Sequence, residues 1–317
     1  MTQPDIGIVI VTFNSRAEIG PCLDSLRGCV AEVVVVDNAS LDGTAAEVRS
    51  RKVRLIANAV NRGFAAAVNQ GFALLATPYV LLLNPDAELL GGLDAMRQAC
   101  DLPQSAGAGG RLEDADGRLQ AGFMVRQLPG PLDLILEVLL LNRMVPNNPL
   151  NRQYRGLQLN YNIRILVEQP AGAFLMVRRA VWEELGGFDE SFFPLWFEDV
   201  DFCRRVKDRG YRLFYVPEAR ARHRGGHSIS GLSVEKRRVY WYGSLLRYSA
   251  KHFRPLAFRA LCLAVVAGSL LRSLGELVLH RSFRPLPAYG KVVRHAGRCV
   301  LFGWGDGAAT LSPNDSG

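Results

Sequence analysis

A chain of 317 residues with 49% apolar content can bury a substantial core, and one large α/β domain with an appendage suits it better than two equal domains. The formal charge of +8 is unevenly placed: residues 1–202 hold 17 Lys/Arg against 24 Asp/Glu, a net −7, and residues 203–317 hold 21 against 6, a net +15. No helix-turn-helix, zinc-finger spacing or aromatic-and-basic strand motif accompanies the basic part, which sets nucleic acid aside and favours a membrane surface as the anionic partner.

Ile6 to Thr12 reads as an apolar strand ending on Phe13-Asn14-Ser15, and Ala17 to Leu26 carries helical spacing. Val33 to Val36 is a second buried strand closing on Asp37-Asn38-Ala39-Ser40, after which Asp42-Gly43-Thr44 supplies N-cap chemistry for the next helix. A third short strand, Val53–Ile56, leads to Asn61-Arg62-Gly63-Phe64 and a small-residue helix through Asn69 and Gly71. The run Tyr79-Val80-Leu81-Leu82-Leu83 then reads as a strand buried on both faces, and Asn84-Pro85-Asp86 stops it because proline has no N–H to give the ladder. Strands alternating with helices imply right-handed parallel crossovers, so Asn14, Asp37 and Asp86 are expected to share a cleft at one sheet edge. Each of these polar strand ends alone is ordinary turn chemistry. A carboxylate delivered there by a buried strand is also well placed to hold a metal against a phosphate.

In the second half, Gln169-Pro170-Ala171-Gly172-Ala173-Phe174-Leu175-Met176-Val177-Arg178-Arg179 reads as a glycine-containing turn followed by a buried strand, and Gly186-Gly187-Phe188-Asp189-Glu190 reads as another turn. Phe192 to Phe197, including Trp196, brings an aromatic wall, and Glu198, Asp199 and Asp201 open a helix whose later residues are cationic. Acids there either complement the helix dipole or do chemistry. His223 lies in Arg222-His223-Arg224-Gly225-Gly226-His227-Ser228, whose arginines could neutralise a diphosphate. His227 reads as structural.

Residues 131–160 are rich in leucine and fit either an acceptor lid or a membrane contact. Residues 255–279 are strongly apolar but carry Arg259, Arg272 and Glu276, so the longest uncharged run is shorter than the ~20 residues of a spanning helix. An interfacial or re-entrant helix flanked by arginines fits, as does a buried helix packed on the main domain. The six cysteines show neither metal-ligand spacing nor a disulfide framework, which suits a reducing compartment, and no signal peptide is read at the amino terminus. The expected location is cytoplasmic, peripheral on the cytoplasmic face of the inner membrane.

Val11-Thr12-Phe13-Asn14-Ser15, Val36-Asp37-Asn38-Ala39-Ser40-Leu41-Asp42-Gly43-Thr44, Asn61-Arg62-Gly63-Phe64 and Asn84-Pro85-Asp86 resemble, in order and spacing, the nucleotide-sugar half of family 2 glycosyltransferases, most of all their rhamnosyltransferase-like bacterial branch. The resemblance covers roughly residues 5–230. It implies a GT-A fold, Rossmann-like with a mostly parallel central sheet flanked by helices, over residues 1–232, with 1–100 the nucleotide-sugar half and 101–232 the acceptor half. A basic, partly apolar helical C-terminal region at 233–317 would follow. By resemblance, Thr12, Phe13, Asn14, Asn38 and Arg62 approach the nucleotide, and Asp37 reads the pyrimidine edge. The family commonly has Asp-x-Asp where this chain has Asn84-Pro85-Asp86, so Asp86 is the implied ligand of a divalent cation, Mg2+ or Mn2+. Asp199 matches the carboxylate that acts as base, with Trp196, Glu198 and Asp201 as acceptor-side candidates. His223, Gly226 and Ser228 match an H-x-x-G-x-S setting whose histidine joins the metal or diphosphate.

The implied activity is inverting transfer of a sugar, rhamnose from dTDP-rhamnose, to a hydroxyl of a glycan or polyprenyl-diphosphate-linked acceptor. Another hexose from a UDP-sugar, or an inactive sugar-nucleotide-binding scaffold, are the alternatives. A nucleotidyltransferase should show a Gly-rich loop with a lysine near the first strand, and Phe13-Asn14-Ser15-Arg16 is not one.

Overall fold

A computed structural model describes residues 5–225, 232–280, 283 and 286–304. Its first half alternates as the sequence requires: β1 (Ile6–Thr12), α1 (Arg16–Ser25), β2 (Ala31–Asp37), α2 (Thr44–Ser50), β3 (Arg54–Ala57), α3 (Phe64–Ala73) and β4 (Tyr79–Leu83). There follow β5 (Ala87–Gly91), α4 (Leu93–Cys100), β6 (Ser105–Glu113), β7 (Val125–Arg126), and the short helices α5 (Pro131–Val138), α6 (Leu141–Met144) and α7 (Pro149–Tyr154). Next come β8 (Ile165–Val167), β9 (Gln169–Pro170), β10 (Phe174–Arg178), α8 (Arg179–Leu185), α9 (Glu198–Asp208) and β11 (Arg212–His223). The helices α10 (Val234–His252), α11 (Pro255–His280) and α12 (Leu286–Phe302) close the chain.

The central sheet runs β3-β2-β1-β4-β10-β6-β11-β5, with β8 also on β11. Strands β1 to β4 are mutually parallel, with Thr12 opposite Asp37 in the register, so their carboxyl ends fall on one edge. β10 runs antiparallel to both β4 and β6 and places Phe174 opposite Leu83. The start of β10 therefore lies beside the end of β4. The period-two pleat sorts the side chains: Ile8, Ile10, Leu81 and Leu83 pack on one face, and Val9, Val11, Val80 and Leu82 on the other. Burial on both faces is why these strands are continuous apolar runs.

The chain divides into two compact units. One holds the sheet and residues 155–194 and 198–231; the other gathers 129–154, 195–197 and the C-terminal helices from 232. Thus α5 to α7, numerically inside 1–232, group with the C-terminal region. In that second unit Ser233 caps α10 by accepting from Lys236 N–H at 3.2 Å, and α11 packs with α5, α10 and α12. A β-carbon on Gly268 would clash sterically with the Val138 carbonyl oxygen, so glycine lets α11 pass this close to α5.

The residues at 255–279 lie in a single helix, and among the described residues α11 is the one helix long and apolar enough to cross a membrane by length and composition. Its inner face buries Phe258, Leu261, Cys262, Ala264 and Val265. The two charges in its second half turn inward. Arg272 donates to the Val138 and Glu137 carbonyls, and Glu276 pairs with Arg238 at 2.9 Å. Leu256, Leu263, Leu270, Leu271, Leu274, Leu277 and Val278 remain exposed on the outer face.

Candidate active site

The first two loops are tied to each other before any ligand is considered. Thr12 Oγ1 donates to Asp37 Oδ1 at 2.7 Å, Ser40 Oγ donates to the same oxygen at 2.5 Å, and Ser40 N–H donates to Oδ2 at 3.1 Å. Asn14 N–H donates to Ser40 Oγ at 2.8 Å and its side-chain oxygen accepts from Leu41 N–H at 2.8 Å. Asn14 and Ala39 both adopt left-handed backbone, with φ of 51° and 66°. Asp37 is buried beneath this pair of turns. Asn38, also buried, reaches the third loop: its amide donates to Gly63 O at 3.0 Å and accepts from Arg62 N–H at 3.2 Å. Phe64 N–H donates to Pro194 O at 2.7 Å, which ties that loop to the segment before α9. Phe13 is half-buried, and Arg62 is exposed at the rim of the same edge.

Asp86 follows β4 at this edge. Its Oδ2 accepts from Gly225 N–H at 3.1 Å, and its Oδ1 lies 3.4 Å from His223 Nε2. β11 brings the histidine, because His223 stands opposite Ala87 and its inward side alternates with the outward Arg220 and Arg222. Asn84 Nδ2 is 3.4 Å from the same ring nitrogen. Gln120 holds the other side of the ring, with Oε1 2.9 Å from Nδ1, while its Nε2 donates to His223 O at 2.6 Å. The Phe123 ring stacks on the imidazole at 5.1 Å. Among the described residues no three His, Cys, Asp or Glu side chains gather into a ready-made metal cage. Asp86 and His223 instead form a two-donor corner of carboxylate oxygen and imidazole nitrogen. Such a corner fits a divalent cation that takes its remaining ligands from phosphate oxygens and water.

Asp199 sits in the first turn of α9 and is bound to the turn that leads into β10, the strand beside β4. Gly172 N–H donates to its Oδ2 at 3.1 Å, and Val200 N–H donates to Oδ1 at 2.8 Å. Gln169 Nε2 lies 3.4 Å from Oδ2. One residue on, Ala173 O accepts from Asn84 N–H at 3.0 Å. This contiguous series of contacts carries Asp199 and Asp86 to the same edge of the sheet. Burial pushes the Asp199 carboxyl above the usual aspartate range, against the hydrogen bonds from Gly172 and Val200 and the charge of Arg126.

The neighbours of Asp199 differ in kind. Glu198 is buried and raised well above the usual glutamate range, first by desolvation and then by the Asp199 charge. Asp201 is fully buried and pairs with Arg205 at 2.8 Å, and Arg205 also donates to the Leu185 and Gly187 carbonyls at 2.7 Å. The expectation that Asp201 faces an acceptor gives way to an internal ion pair that fastens α9 to the end of α8. Trp196 and Phe197 belong to the second unit, both with left-handed φ, 79° and 69°, and Phe197 packs on Trp241 and Tyr248 there. Phe202 turns into the core with Trp182 and Phe188. Gly226, His227 and Ser228 lie outside the described residues.

Residues 7–96 match the family described as Glycosyl transferase family 2, and residues 161–303 match Glycosyl transferase family group 2. The chain is 33% identical over 239 residues to the N-acetylglucosaminyl-diphospho-decaprenol L-rhamnosyltransferase of Mycobacterium tuberculosis, covering 70% of this chain and 76% of the relative. This chain is a family 2 glycosyltransferase. It belongs to the rhamnosyltransferase-like branch. Its fold is GT-A: a mannosyltransferase from Pyrobaculum calidifontis, solved with GDP-Man and Mn2+, superposes with a TM-score of 0.53 at 17% identity, covering 95% of this chain and 88% of that one. GalNAc-T7, solved with UDP, GalNAc and Mn2+, gives 0.55 at 14% identity over 77% of this chain and 47% of that one.

Four residues that touch the candidates have no role assigned from the sequence: Gln120 and Phe123 at His223, and Gly172 and Gln169 at Asp199. Gln120 meets His223 across 103 positions and Gly172 meets Asp199 across 27. Gln169 and Gly172 carried a signal only as parts of a turn.

Proposed function

We propose that this glycosyltransferase moves rhamnose, with inversion, from dTDP-rhamnose to a hydroxyl of a polyprenyl-diphosphate-linked glycan of the cell envelope. The single observation that carries the chemistry is the contact series from Asp199 through Gly172, Ala173 and Asn84 towards Asp86, because it brings a base candidate and a diphosphate-side acid to one edge. Donor and acceptor classes rest on the rhamnosyltransferase whose name joins that sugar to a decaprenyl-diphosphate acceptor.

In this reading Thr12, Phe13, Asn14, Asn38 and Arg62 form the nucleotide side, and Asp37 Oδ2, which accepts one hydrogen bond from Ser40, takes the N–H of the pyrimidine. Asp86 and His223 would hold Mg2+ or Mn2+, which when bound neutralises charge on the departing diphosphate. Asp199 takes the proton from the acceptor hydroxyl as its oxygen bonds to the anomeric carbon. The bond from that carbon to the diphosphate oxygen breaks, and its electron pair leaves with the nucleotide. One carboxylate suffices because a nucleoside diphosphate leaves without a proton, unlike the alkoxide of glycoside hydrolysis. The raised Asp199 carboxyl is a stronger base than an exposed aspartate once ionised. Glu198, next to Asp199 on α9, is the acceptor-side candidate.

The charge split and the outer stripe of α11 support a peripheral seat on the cytoplasmic face of the inner membrane. With Arg272 and Glu276 turned inward, the outer face from Ala260 to Val278 is apolar, and Lys251, Arg254 and Arg259 are exposed at one end for anionic headgroups.

The test is a panel of nucleotide sugars scored by thermal shift with and without Mn2+, followed by transfer to a short-chain polyprenyl-diphosphate acceptor. A donor at 100 times its Kd stabilises the folded enzyme by about 2.7 kcal/mol. A midpoint rise specific to dTDP-rhamnose and transfer with inverted anomeric configuration are expected. Preference for a UDP-hexose overturns the donor assignment, and binding without transfer favours a scaffold.

A further inference from the structure

We infer that Gln120 is a positioning residue for the diphosphate side of the reaction: it fixes the proton of His223 on Nδ1 and so presents Nε2 as a lone pair towards Asp86. The inference rests on the reading of Asp86 and His223 as a cation corner.

The amide of Gln120 has one allowed orientation. One of its terminal atoms is 2.6 Å from the His223 backbone carbonyl, which can only accept, so that atom is the nitrogen. The other, the oxygen, is 2.9 Å from His223 Nδ1. An amide oxygen can only accept, so Nδ1 carries the hydrogen. In neutral imidazole the remaining nitrogen, Nε2, is then the acceptor. It faces Asp86 Oδ1 at 3.4 Å, with the Asn84 amide nitrogen at 3.4 Å on the same lone pair. A carboxylate oxygen and an unprotonated ring nitrogen this close on buried side chains suit a bridging cation, which would take the place of the Asn84 amide on Nε2. Histidines that bind metals are held in this manner through their other nitrogen.

The support is itself rigid. Gln120 N–H donates to Leu112 O at 3.0 Å, at the end of β6, and Gln120 O accepts from Phe123 and Met124 N–H, both at 3.1 Å. Phe123 then covers the imidazole face nearly in parallel, 12° between planes. Met124 O accepts from Ala171 N–H at 2.9 Å, so the same turn is joined to the residue before Gly172, the donor to Asp199. Glutamine fits this place because one planar amide answers both a carbonyl and a ring N–H. Leucine answers neither, and glutamate keeps only the acceptor.

The test uses the full chain with 15N-labelled histidine and compares Gln120→Leu and Gln120→Glu with the native protein, His223→Asn assigning the resonance. Imidazole 15N shifts report the tautomer, and free Mn2+ counted by electron paramagnetic resonance in the presence of dTDP reports affinity. Native protein should show Nδ1 protonated. Gln120→Leu should lose that fixed tautomer and weaken Mn2+ about 10- to 100-fold. Gln120→Glu should keep the tautomer and stay within a few-fold of native affinity. A Gln120→Leu protein that melts like native, with tautomer and Mn2+ affinity unchanged, overturns the inference. Should native protein with dTDP take up no Mn2+, the cation reading fails, and the tautomer comparison alone decides whether Gln120 orients the ring.

Discussion

Gly172 and Asp199 are in close contact: the glycine N–H donates to Oδ2 at 3.1 Å, and a β-carbon built on Gly172 would meet the aspartate Cβ at 3.3 Å. The backbone at Gly172 is not left-handed, so alanine there is tolerated conformationally and acts as a wedge of a few tenths of an ångström. Displacements near 1 Å cost about 100-fold in rate, so Gly172→Ala is expected to lower kcat roughly 10-fold. Donor-induced thermal shift should stay the same. Equal loss of donor binding would mean that the glycine builds the nucleotide side instead.

Asp199→Asn removes the proposed base while keeping size and much of the hydrogen bonding. General-base catalysis contributes about 10²- to 10⁴-fold, so kcat should fall by that range with donor affinity nearly intact. In native enzyme the base must be ionised, and burial raises its carboxyl above the ordinary value of 3.8. The acid limb of the kcat profile should therefore fall away at a higher pH than an exposed aspartate gives. A limb that persists unchanged in Asp199→Asn would assign it to another group.

Glu198 supplies a pH-dependent stability with the opposite sign from a paired carboxylate. Its folded pKa lies well above the ordinary 4.5, so folding favours the protonated form. That contribution is fully present below the unfolded value and is lost as pH rises through the folded one. Glu198→Gln should therefore flatten the decline in melting temperature from about pH 4.5 upward. A slope identical to native would show that Glu198 does not titrate in this environment.

Asp201 and Arg205 form a buried ion pair whose loss leaves a guanidinium partly stranded beside the Leu185 and Gly187 carbonyls. Asp201→Ala should destabilise by roughly 3 kcal/mol, read by urea unfolding, and enzyme that remains folded should keep its KM for acceptor. A selective rise in acceptor KM at unchanged stability would restore an acceptor role.

The parallel half was legible because its information is local. Continuous apolar runs mark β1, β2 and β4, and Pro85 marks where Asp86 must stand. Asp199 stood out only by family resemblance, since acids at a helix start equally complement the dipole. The fittings between these pieces were not. β10 inserts antiparallel between β4 and β6, and nothing in its sequence states its direction. Gln120 lies in an exposed-looking turn, and its role exists only because β11 returns His223 to it. The Asp201–Arg205 spacing of four positions does carry pairing information, since such residues share a helix face. The charges in α11 were the least transparent: a sequence displays Arg272 and Glu276 as interruptions, and only packing reveals that both face inward.

That inward turn makes the membrane reading testable on the helix itself. Leu263 and Leu270 are exposed, one heptad apart on the outer face of α11, and have little to lose in folding energy. Burying a leucine in an apolar phase is worth about 1.5–3 kcal/mol, so Leu263→Asp with Leu270→Asp should weaken binding to vesicles at least 100-fold. Vesicles of phosphatidylglycerol and phosphatidylethanolamine, with co-sedimentation as the readout, supply both the apolar phase and the anionic surface. Salt should weaken native binding only in part, since screening acts on the exposed arginines and not on the leucines. Turnover of a water-soluble acceptor analogue should be unaffected by the double substitution. If the variant sediments with vesicles as native does, the stripe contacts something other than lipid and the peripheral seat lies elsewhere on the chain.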